Sequence, residues 1–557
     1  MRSVQSLNGV WDFAFFQECG MAAIELSALS FTSVLTVPGC YDVLFPYAAQ
    51  RGTGVYRRRV YCSGLVKLNI AALGLAAEVY WDQQLIKSCP YAYMPESMVF
   101  DSGSTAWHEL IILVNNQYNQ VFFPFYDFYG YGGIYGDVDL ESLPEFYLDD
   151  IRISTLDYRQ GLIRLQVRAS ATPAPGCHLQ LRFDASELQT LPFDSQVNIY
   201  ELKVPQFQLW SPATPCLHHL QVSCGADELA LDFGIRQIAV AGNQLLLNGV
   251  PLRLMGYNRH ESHPQFGAAM PPSLIEADLL MIREQGCNFI RGSHYPQNRH
   301  FLELCDRLGI LVWEETLGWD VKFPTLGEAA FLEQQLDQAR RLVRNSYNHP
   351  SIIIWGFLNE TESQLPELRP IIKKLCDAFH AEDDTRLVTY ASNKYEKDCC
   401  CDLVDIIAMN PYPGWGDANW EKVQDIDQVK PRLDRLLAAL PSDKPVLISE
   451  IGAGAIYGFR DPFKARWSEE YQALLLKEIC NQVLGDERFC GLCIWQFCNA
   501  KSYINGYVMG RSRGFNNKGI LDEYRRPKLA WDIITSCIQQ ARAAGKPDEC
   551  PGTETSV

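Results

Sequence analysis

The chain has 557 residues, a length that predicts roughly two to four domains rather than one. Hydrophobic residues make up 47% of the chain and charged residues 21%, which is an ordinary globular balance. The net charge of −17 argues against nucleic acid or an anionic membrane as a partner of the whole surface, so an anionic ligand would need a specific basic cluster.

The chain shows no signal for secretion or membrane insertion. Its first residues contain no apolar core of signal-peptide length, and no later run approaches the about 18 to 20 uninterrupted apolar residues of a membrane span. We therefore expect a cytoplasmic protein. The 19 cysteines are irregularly spaced, which predicts reduced thiols rather than a disulfide framework. No metal site is predicted at 399–401, because three adjacent cysteines cannot easily converge on one tetrahedral ion.

The first part of the chain has an all-β pattern. Residues 1–144 alternate short strand-like pieces with turn signals, and this pattern predicts an antiparallel β-sandwich. After Pro144 a second all-β stretch runs to 236, with strict alternation of apolar and polar residues at 150–154 and 162–167. A stretch of this length fits an immunoglobulin-like sandwich, although other sandwiches are not excluded.

From about residue 250 the pattern changes to strands that alternate with helices. Helical periodicity is found at Ser273–Gln285 and at Phe331–Asn345. Eight strands are predicted, the number that closes a (β/α)8 TIM barrel: Leu252–Tyr257, Phe289–His294, Ile310–Glu315, Ile352–Glu360, Leu387–Ser392, Ile406–Tyr412, Val446–Glu450 and Leu492–Asn499. A doubly wound open sheet is the rival, but no Gly-rich phosphate turn follows the first strand. Residues 546–557 are predicted to form a disordered tail.

Two of the predicted barrel strands end on a glutamate. Glu360 closes the fourth strand and Glu450 closes the seventh. In a barrel the carboxyl ends of the strands share one mouth, so both carboxyl groups would face the same site. Glycoside hydrolysis needs two such groups, one to protonate the leaving oxygen and one to attack or to activate water.

Several motifs together resemble glycoside hydrolase family 2. They are Gly256–Glu261, Arg291–Pro296, Asn348–Glu360 and the pair Ser449-Glu450. The resemblance implies a multidomain fold with a jelly-roll β-sandwich at 1–144, an immunoglobulin-like β-sandwich at 145–236 and a C-terminal TIM barrel at 237–545. It also implies site residues: Glu360 as general acid/base, Glu450 as nucleophile of a retaining mechanism, Asn359 on the sugar 2-hydroxyl, His260 on a hydroxyl and Trp495 as the sugar platform.

A basic segment after the predicted eighth strand carries a second resemblance, which concerns the sugar. Asn516-Asn517-Lys518-Gly519 resembles the Asn-x-Lys-Gly signature of β-glucuronidases, in which Asn and Lys bind the C6 carboxylate. A partly buried carboxylate needs such donors, whereas a neutral hydroxymethyl group would leave the ammonium unpaired. Arg511 and Arg513 straddle the position where that subgroup has an arginine, and the sequence does not choose between them. The aromatic loop 125–134 resembles the glucuronidase loop whose aspartate reaches the sugar, which makes Asp127 a candidate.

Two departures concern the leaving-group side of the site. Tyr412 matches the tyrosine that hydrogen-bonds the nucleophile, but the second tyrosine of the resembled enzymes falls at Gly416, so Tyr457 is considered as a substitute. The segment 316–327 after the third strand is short, where some glucuronidases carry a longer loop. The sequence therefore predicts an open entrance that accepts bulky or oligosaccharide leaving groups.

The leading hypothesis is a retaining β-glucuronidase that acts on small glucuronides or on uronic-acid-terminated oligosaccharides. A β-galacturonidase or a dual-specificity uronidase is the alternative, because a carboxylate clamp reads C6 rather than C4. A non-catalytic carbohydrate-binding scaffold is more distant. The resemblance implies a homo-oligomer, dimer or tetramer, and no required cofactor; the residues neither predict nor exclude a surface flavin (FMN).

Overall fold

The fold is described from a computed structural model, which describes residues 2–117, 128–416, 425–502 and 511–544. The predicted Asp127 and the predicted disordered tail at 546–557 lie outside these residues. Within the described ranges, no helix has both the length and the apolar character that crossing a membrane requires.

The first domain is a β-sandwich of two main antiparallel sheets. One sheet has the order β1-β12-β6-β9, the other the order β3-β2-β5-β10-β7-β8, and β4 pairs with β11. In β6 the residues Val66, Leu68 and Ile70 are buried while their neighbours are partly exposed, as strand alternation requires. The strands are β1 (Ser3–Ser6), β2 (Gly9–Gln17), β3 (Ser33–Val37), β4 (Gly39–Cys40), β5 (Gly52–Cys62), β6 (Leu65–Ile70), β7 (Ala76–Trp81), β8 (Gln84–Cys89), β9 (Glu96–Asp101), β10 (Ala106–Asn115), β11 (Gly133–Ile134) and β12 (Val138–Ser142).

The second domain is a smaller sandwich with the sheet orders β13-β14-β17 and β16-β15-β18-β19. Apolar residues from both sheets, among them Leu165 and Val222, form its own core. Its strands are β13 (Leu148–Asp157), β14 (Leu162–Ala169), β15 (His178–Phe183), β16 (Gln189–Pro192), β17 (Val197–Lys203), β18 (His218–Cys224) and β19 (Asp227–Phe233).

A short antiparallel sheet connects this sandwich to the third domain. It has the order β20-β21-β22, with β20 (Ile238–Ala241), β21 (Gln244–Leu247) and β22 (Val250–Leu252). Arg236, just before it, is buried and donates from Nη2 to the Ile352 carbonyl at 2.7 Å. The second sandwich is thereby fixed to the amino-terminal end of the barrel.

The third domain is a closed barrel of eight parallel strands, β23 to β30, as the sequence predicts. Its strands are buried along their length because helices cover the outside and side chains fill the inside. They are β23 (Leu254–Arg259), β24 (Phe289–Gly292), β25 (Leu311–Glu315), β26 (Ile352–Asn359), β27 (Leu387–Ser392), β28 (Ile407–Met409), β29 (Val446–Ile448) and β30 (Phe489–Ile494), followed by the pair β31 (Ala500–Lys501) and β32 (Phe515–Asn516).

The helices around the barrel begin and end at recognisable caps. Asn298 accepts from the His300 amide at the start of α2, and Gly309 ends that helix in the left-handed region. Ser468 caps α6 in the same way by accepting from the Tyr471 amide. The described helices are α1 (Pro272–Glu284), α2 (Arg299–Leu308), α3 (Ala329–Ser346), α4 (Arg369–Glu382), α5 (Val429–Ala439), α6 (Glu469–Leu484) and α7 (Ala530–Ala544).

Some strand bounds differ from the prediction. The eighth strand is three residues earlier than predicted at its start, because Gly491 lies within it and not before it. A Cβ at Gly491 would lie 2.6 Å from the Leu254 carbonyl oxygen, so this strand needs a glycine where it meets β23. Glu360 and Glu450 both lie just beyond the last paired residue of their strands rather than on it.

Candidate active site

Glu360 follows β26 in a backbone conformation that is rare for residues other than glycine. Its φ is 55°, Leu358 has φ 50°, and the pairing of β26 with β27 shifts register between Gly356 and Asn359. The Glu360 amide still donates to the Ala391 carbonyl at 2.9 Å, which holds the residue on the barrel rim. Such left-handed residues cost about 1 to 2 kcal/mol and persist where the surrounding contacts enforce them.

Glu450 lies in a strongly polar environment inside the mouth. Arg291 donates from Nη1 to its Oε1 at 2.8 Å, and the Tyr412 hydroxyl donates to its Oε2 at 3.0 Å. Burial raises the pKa of Glu450 to about 8, and the charge of Glu360 adds to this rise, whereas the Arg291 charge and the Tyr412 hydrogen bond oppose it. Glu450 therefore has the partners that stabilise a carboxylate anion.

Glu360 has a different set of partners. Asn410 donates from its neutral amide Nδ2 to Glu360 Oε1 at 3.1 Å. Burial raises the pKa of Glu360, while the Asn410 hydrogen bond and the charges of Lys394 and Lys518 lower it. Two carboxyl groups in one buried site do not ionise independently. Because the guanidinium contact belongs to Glu450, the first negative charge is best placed there and the remaining proton on Glu360.

Arg291, on β24, connects most of these groups and was not among the predicted site residues. Its Nε and Nη2 donate to Glu315 at 3.0 and 3.1 Å, and its Nη2 also donates to Asn359 Oδ1 at 2.9 Å. The guanidinium lies 4.4 Å from the centre of the Trp313 ring. One fully buried cation is thus shared between the carboxyl groups of Glu315 and Glu450 and also fixes the Asn359 amide.

The orientation of Asn359 leaves its side-chain NH2 group available to a ligand. Its Oδ1 accepts from both Arg291 and Asn410, so the other end of the amide is Nδ2. Asn359 Nδ2 is buried and has no hydrogen-bond partner among the residues that the structure describes. Ser449 fixes the Asn410 amide by donating to its Oδ1 at 2.7 Å. This is the arrangement that a hydroxyl acceptor on a sugar would complete.

Two histidines form the wall of the site beside Trp495. His260 Nδ1 lies 3.2 Å from the Tyr295 hydroxyl, and His294 Nδ1 lies 2.7 Å from Glu315 Oε1. Burial lowers the pKa of both imidazoles well below the ordinary value, so both are neutral. Their Nε2 atoms are buried without a hydrogen-bond partner in the described part of the chain.

Trp495 is buried between these histidines. His294 stacks on it at 5.1 Å with an interplanar angle of 17°, and His260 meets it edge-on at 5.3 Å. The predicted platform residue is thus brought to the same wall as His260. His294, in the Arg291-Gly-Ser-His motif, was not predicted to bind the ligand.

Lys518 and Asn516 lie in the barrel mouth at the Glu450 side. Both are buried, and Lys518 Nζ lies 4.4 Å from the centre of the Tyr412 ring, whose hydroxyl binds Glu450. Burial and the charge of Arg511 lower the pKa of Lys518 to about 7, whereas Glu450 and Glu360 raise it. The predicted carboxylate clamp and the predicted catalytic pair therefore share one site.

The structure distinguishes the two candidate arginines. Burial lowers the pKa of Arg511 to about 10, and its charge acts on Lys518. Arg513 instead has φ 61° and donates to Glu523 Oε1 at 2.8 Å and to Asn517 Oδ1 at 3.1 Å. Arg511 belongs to the surroundings of Lys518, whereas Arg513 is half-exposed and binds the segment from outside.

The candidates on the leaving-group side are less well placed. Tyr457 is exposed and its ring lies 4.3 Å from the Arg526 guanidinium, so its described contact is not with the catalytic pair. Asp127 lies outside the described residues. The next residue, Phe128, stacks on His260 at 5.1 Å, and Tyr131 hydrogen-bonds Ser262 at 2.9 Å. The first sandwich therefore contributes to the wall of the barrel mouth.

The residues that sequence reasoning missed share one signal. Arg291, Glu315 and Asn410 all lie at or just beyond the carboxyl end of a barrel strand, the position at which catalytic residues of such barrels are found. Among the residues with described positions, no cluster of three histidine, cysteine or carboxylate side chains could hold a metal ion.

Comparisons with known proteins agree with this geometry. The profile of "Glycosyl hydrolases family 2, TIM barrel domain" matches residues 238–542. The β-glucuronidase of Rattus norvegicus is 32% identical over 431 residues, which are 73% of this chain but only 64% of the rat protein. A family 2 β-galacturonidase from Eisenbergiella tayi, solved with galacturonate, is 31% identical with a TM-score of 0.88 over 97% of each chain.

A second solved structure, the β-glucuronidase of Faecalibacterium prausnitzii, is 25% identical with a TM-score of 0.88 over 97% of this chain and 98% of that one. The similarity to solved structures therefore covers all three domains, and the profile match covers more than half of the chain. The chain belongs to glycoside hydrolase family 2.

Proposed function

We propose that the protein is a retaining β-glucuronidase that removes terminal β-D-glucuronic acid from glucuronides. The observation that carries the proposal is the buried Lys518, which lies with Asn516 in the same mouth as Glu360 and Glu450. A buried ammonium at a sugar site favours an anionic ligand, and the C6 carboxylate of a uronic acid is such a ligand. The glucuronidase relatives support the same reading.

In the proposed first step, Glu450 attacks the anomeric carbon while Glu360 gives its proton to the departing glycosidic oxygen. The bond to the leaving group breaks as the bond to Glu450 forms, which yields a covalent glycosyl-enzyme and a neutral alcohol. The contacts of Arg291 and Tyr412 favour the anion on Glu450, and the neutral Asn410 contact is compatible with a proton on Glu360.

In the second step, Glu360 is a carboxylate and acts as general base. It takes a proton from water, the water oxygen attacks the anomeric carbon, and the bond to Glu450 breaks. Glucuronic acid leaves with its original anomeric configuration, and both glutamates return to their starting protonation states. The mechanism requires no cofactor.

The sugar is held by groups that differ in what they recognise. Lys518, Asn516 and Arg511 are assigned to the C6 carboxylate. Asn359 Nδ2 is assigned to the 2-hydroxyl, an interaction that strengthens in the transition state. His260 Nε2 is assigned to another hydroxyl, and Trp495 is assigned to the apolar face of the ring. Asn359 Nδ2 and His260 Nε2, which have no hydrogen-bond partner among the described residues, support these assignments.

A β-galacturonidase or a dual-specificity uronidase is the second candidate. The Eisenbergiella tayi β-galacturonidase covers 97% of this chain at 31% identity, close to the identity of the glucuronidase relatives. The two sugars differ only at C4, whereas the described clamp acts at C6. The test compares kcat/KM for p-nitrophenyl β-D-glucuronide and β-D-galacturonide, with proton NMR to follow the anomer released first.

A higher kcat/KM on the glucuronide with initial release of the β-anomer supports the proposal, and a higher value on the galacturonide supports the second candidate. Release of the α-anomer would refute the retaining mechanism. Turnover that survives Glu450→Ala would refute the role of Glu450, and absence of any turnover would leave the carbohydrate-binding scaffold.

We further propose a cytoplasmic homo-oligomer, dimer or tetramer, whose substrates are small glucuronides or uronic-acid-terminated oligosaccharides. Light scattering coupled to gel filtration tests the assembly, and fractionation of the source cells tests the compartment. The visible absorbance of the purified protein tests whether FMN is bound.

A further inference from the structure

Lys528, just before α7, is a buried ammonium that does not belong to the substrate pocket. Its Nζ donates to four oxygens: the carbonyls of Ala455 at 2.7 Å, Asn517 at 3.0 Å and Gly519 at 2.6 Å, and Asn499 Oδ1 at 3.0 Å. An ammonium has three N–H bonds, so four acceptors occupy all of them and no donor is left for a ligand.

The four acceptors come from three parts of the site. Ala455 lies on the loop that follows Glu450, and Asn499 lies on the segment that follows Trp495. Asn517 and Gly519 flank Lys518 on either side. A single side chain therefore joins the segments that carry the predicted nucleophile, the predicted sugar platform and the predicted carboxylate clamp.

Neighbouring contacts make this junction tight. The Ala455 amide donates to the Asn517 carbonyl at 3.0 Å, and Gln472 Nε2 donates to the Gly519 carbonyl at 3.2 Å. A Cβ at Gly519 would lie 2.2 Å from the Asn499 amide nitrogen. The backbone segments at Gly519 and Asn499 are therefore so close that only glycine fits at position 519.

The hydrogen bonds of Lys528, more than its charge, support this role. Burial lowers its pKa to about 7, and the carboxylates of Glu469, Glu523 and Asp522 oppose that change. Without the ammonium, the Asn517 and Gly519 carbonyls would each keep one other donor. The Ala455 carbonyl and Asn499 Oδ1 would lose the donor that Lys528 supplies, and each lost partner costs on the order of 1 to 3 kcal/mol unless the segments move to recover it. Movement of these segments would displace Lys518 and Asn516.

We propose that Lys528 is a positioning residue which fixes the Asn516–Lys518 segment relative to Glu450 and so determines selectivity for a uronate over a neutral sugar. The inference rests on the proposed function. It adds a residue that touches no substrate atom but sets the distance between the carboxylate clamp and the reacting carbon.

The test uses Lys528→Met, the milder Lys528→Gln, and Lys444→Met as the matched control. Lys444 Nζ also donates to backbone carbonyls, those of Asp402 at 2.7 Å and Val404 at 2.6 Å, but it precedes β29 at the opposite end of the barrel. The readouts are kcat and KM on p-nitrophenyl glucuronide and galacturonide, and inhibition constants for two lactams. The lactam of glucaric acid carries the carboxylate, and that of gluconic acid is neutral.

In either soluble Lys528 variant, we expect the inhibition constant of the glucaric lactam to rise roughly 10- to 100-fold, since about 1 Å of displacement has effects of this size. The neutral lactam should change by less than about 3-fold, and Lys444→Met should change neither constant although it lowers Tm. An equal change for both lactams, or no change, would overturn the inference. Wild-type protein that hydrolyses neither uronide would instead refute the proposed function.

Discussion

Replacement of Lys518 by methionine should remove most of the advantage of a uronide over a neutral glycoside. Lys518 is buried, and only 4% of its surface is exposed, so its interaction with a carboxylate would be weakly screened. Removing one partner of a buried ion pair costs about 3 to 5 kcal/mol. Because Arg511 and Asn516 stay in place, the lower end applies, and about 3 kcal/mol corresponds to a roughly 100-fold fall in kcat/KM.

The assay compares wild type, Lys518→Met and Lys444→Met on p-nitrophenyl β-D-glucuronide and β-D-glucoside. The glucuronide rate should fall by the stated factor while the glucoside rate stays level or rises, since a hydroxymethyl group cannot pair with an ammonium. A parallel fall on both substrates would mean that Lys518 acts on the catalytic pair or on the fold. An unchanged glucuronide rate would refute the carboxylate clamp.

Four further predictions concern the chemistry and the entrance. Glu360→Ala should slow hydrolysis of alkyl glucuronides roughly 10²- to 10⁴-fold but aryl glucuronides with good leaving groups much less, and azide should restore the aryl rate; loss independent of the leaving group would contradict an acid/base role. Tyr412→Phe removes a hydrogen bond that lowers the pKa of Glu450, so the acidic limb of the kcat/KM profile should move up by about one pH unit, and a shift downward would contradict it. Above pH 7 Lys518 loses its proton in the free enzyme, so KM for the glucuronide should rise with pH while the inhibition constant of the neutral lactam stays constant. The short segment 316–327 predicts that kcat/KM on a uronic-acid-terminated oligosaccharide matches or exceeds that on a small aryl glucuronide, and a much higher value on the aryl substrate would refute it.

The strand pattern was sufficient for the barrel because its strands are buried on both faces and end at polar residues. Leu387–Ser392 is predicted with the bounds that the structure gives. The eighth strand was misplaced because Trp495–Asn499 continues the apolar run of the strand beyond its last paired residue. Periodicity reports burial, and burial continues past the point where pairing ends.

The site was predictable only where a residue's chemistry is unusual for its position. A glutamate at the end of an apolar strand is such a residue, and the structure places both Glu360 and Glu450 just beyond the ends of barrel strands. Arg291 was missed because its partners Glu315, Asn359 and Glu450 lie on three other strands, and only barrel closure brings them together. The sequence could not decide which of Arg511 and Arg513 lies near Lys518. The backbone of Arg513 adopts a φ of 61°, and the spacing of residues along the chain does not predict such a conformation.

The stacking of Phe128 on His260 has a consequence for how this protein is divided into parts. The family profile covers residues 238–542, yet Phe128 from the first sandwich forms part of the wall of the barrel mouth. The barrel is therefore not a self-sufficient module. Truncating or exchanging the N-terminal sandwich therefore alters the binding site itself. Exchange of this sandwich between relatives should change substrate preference.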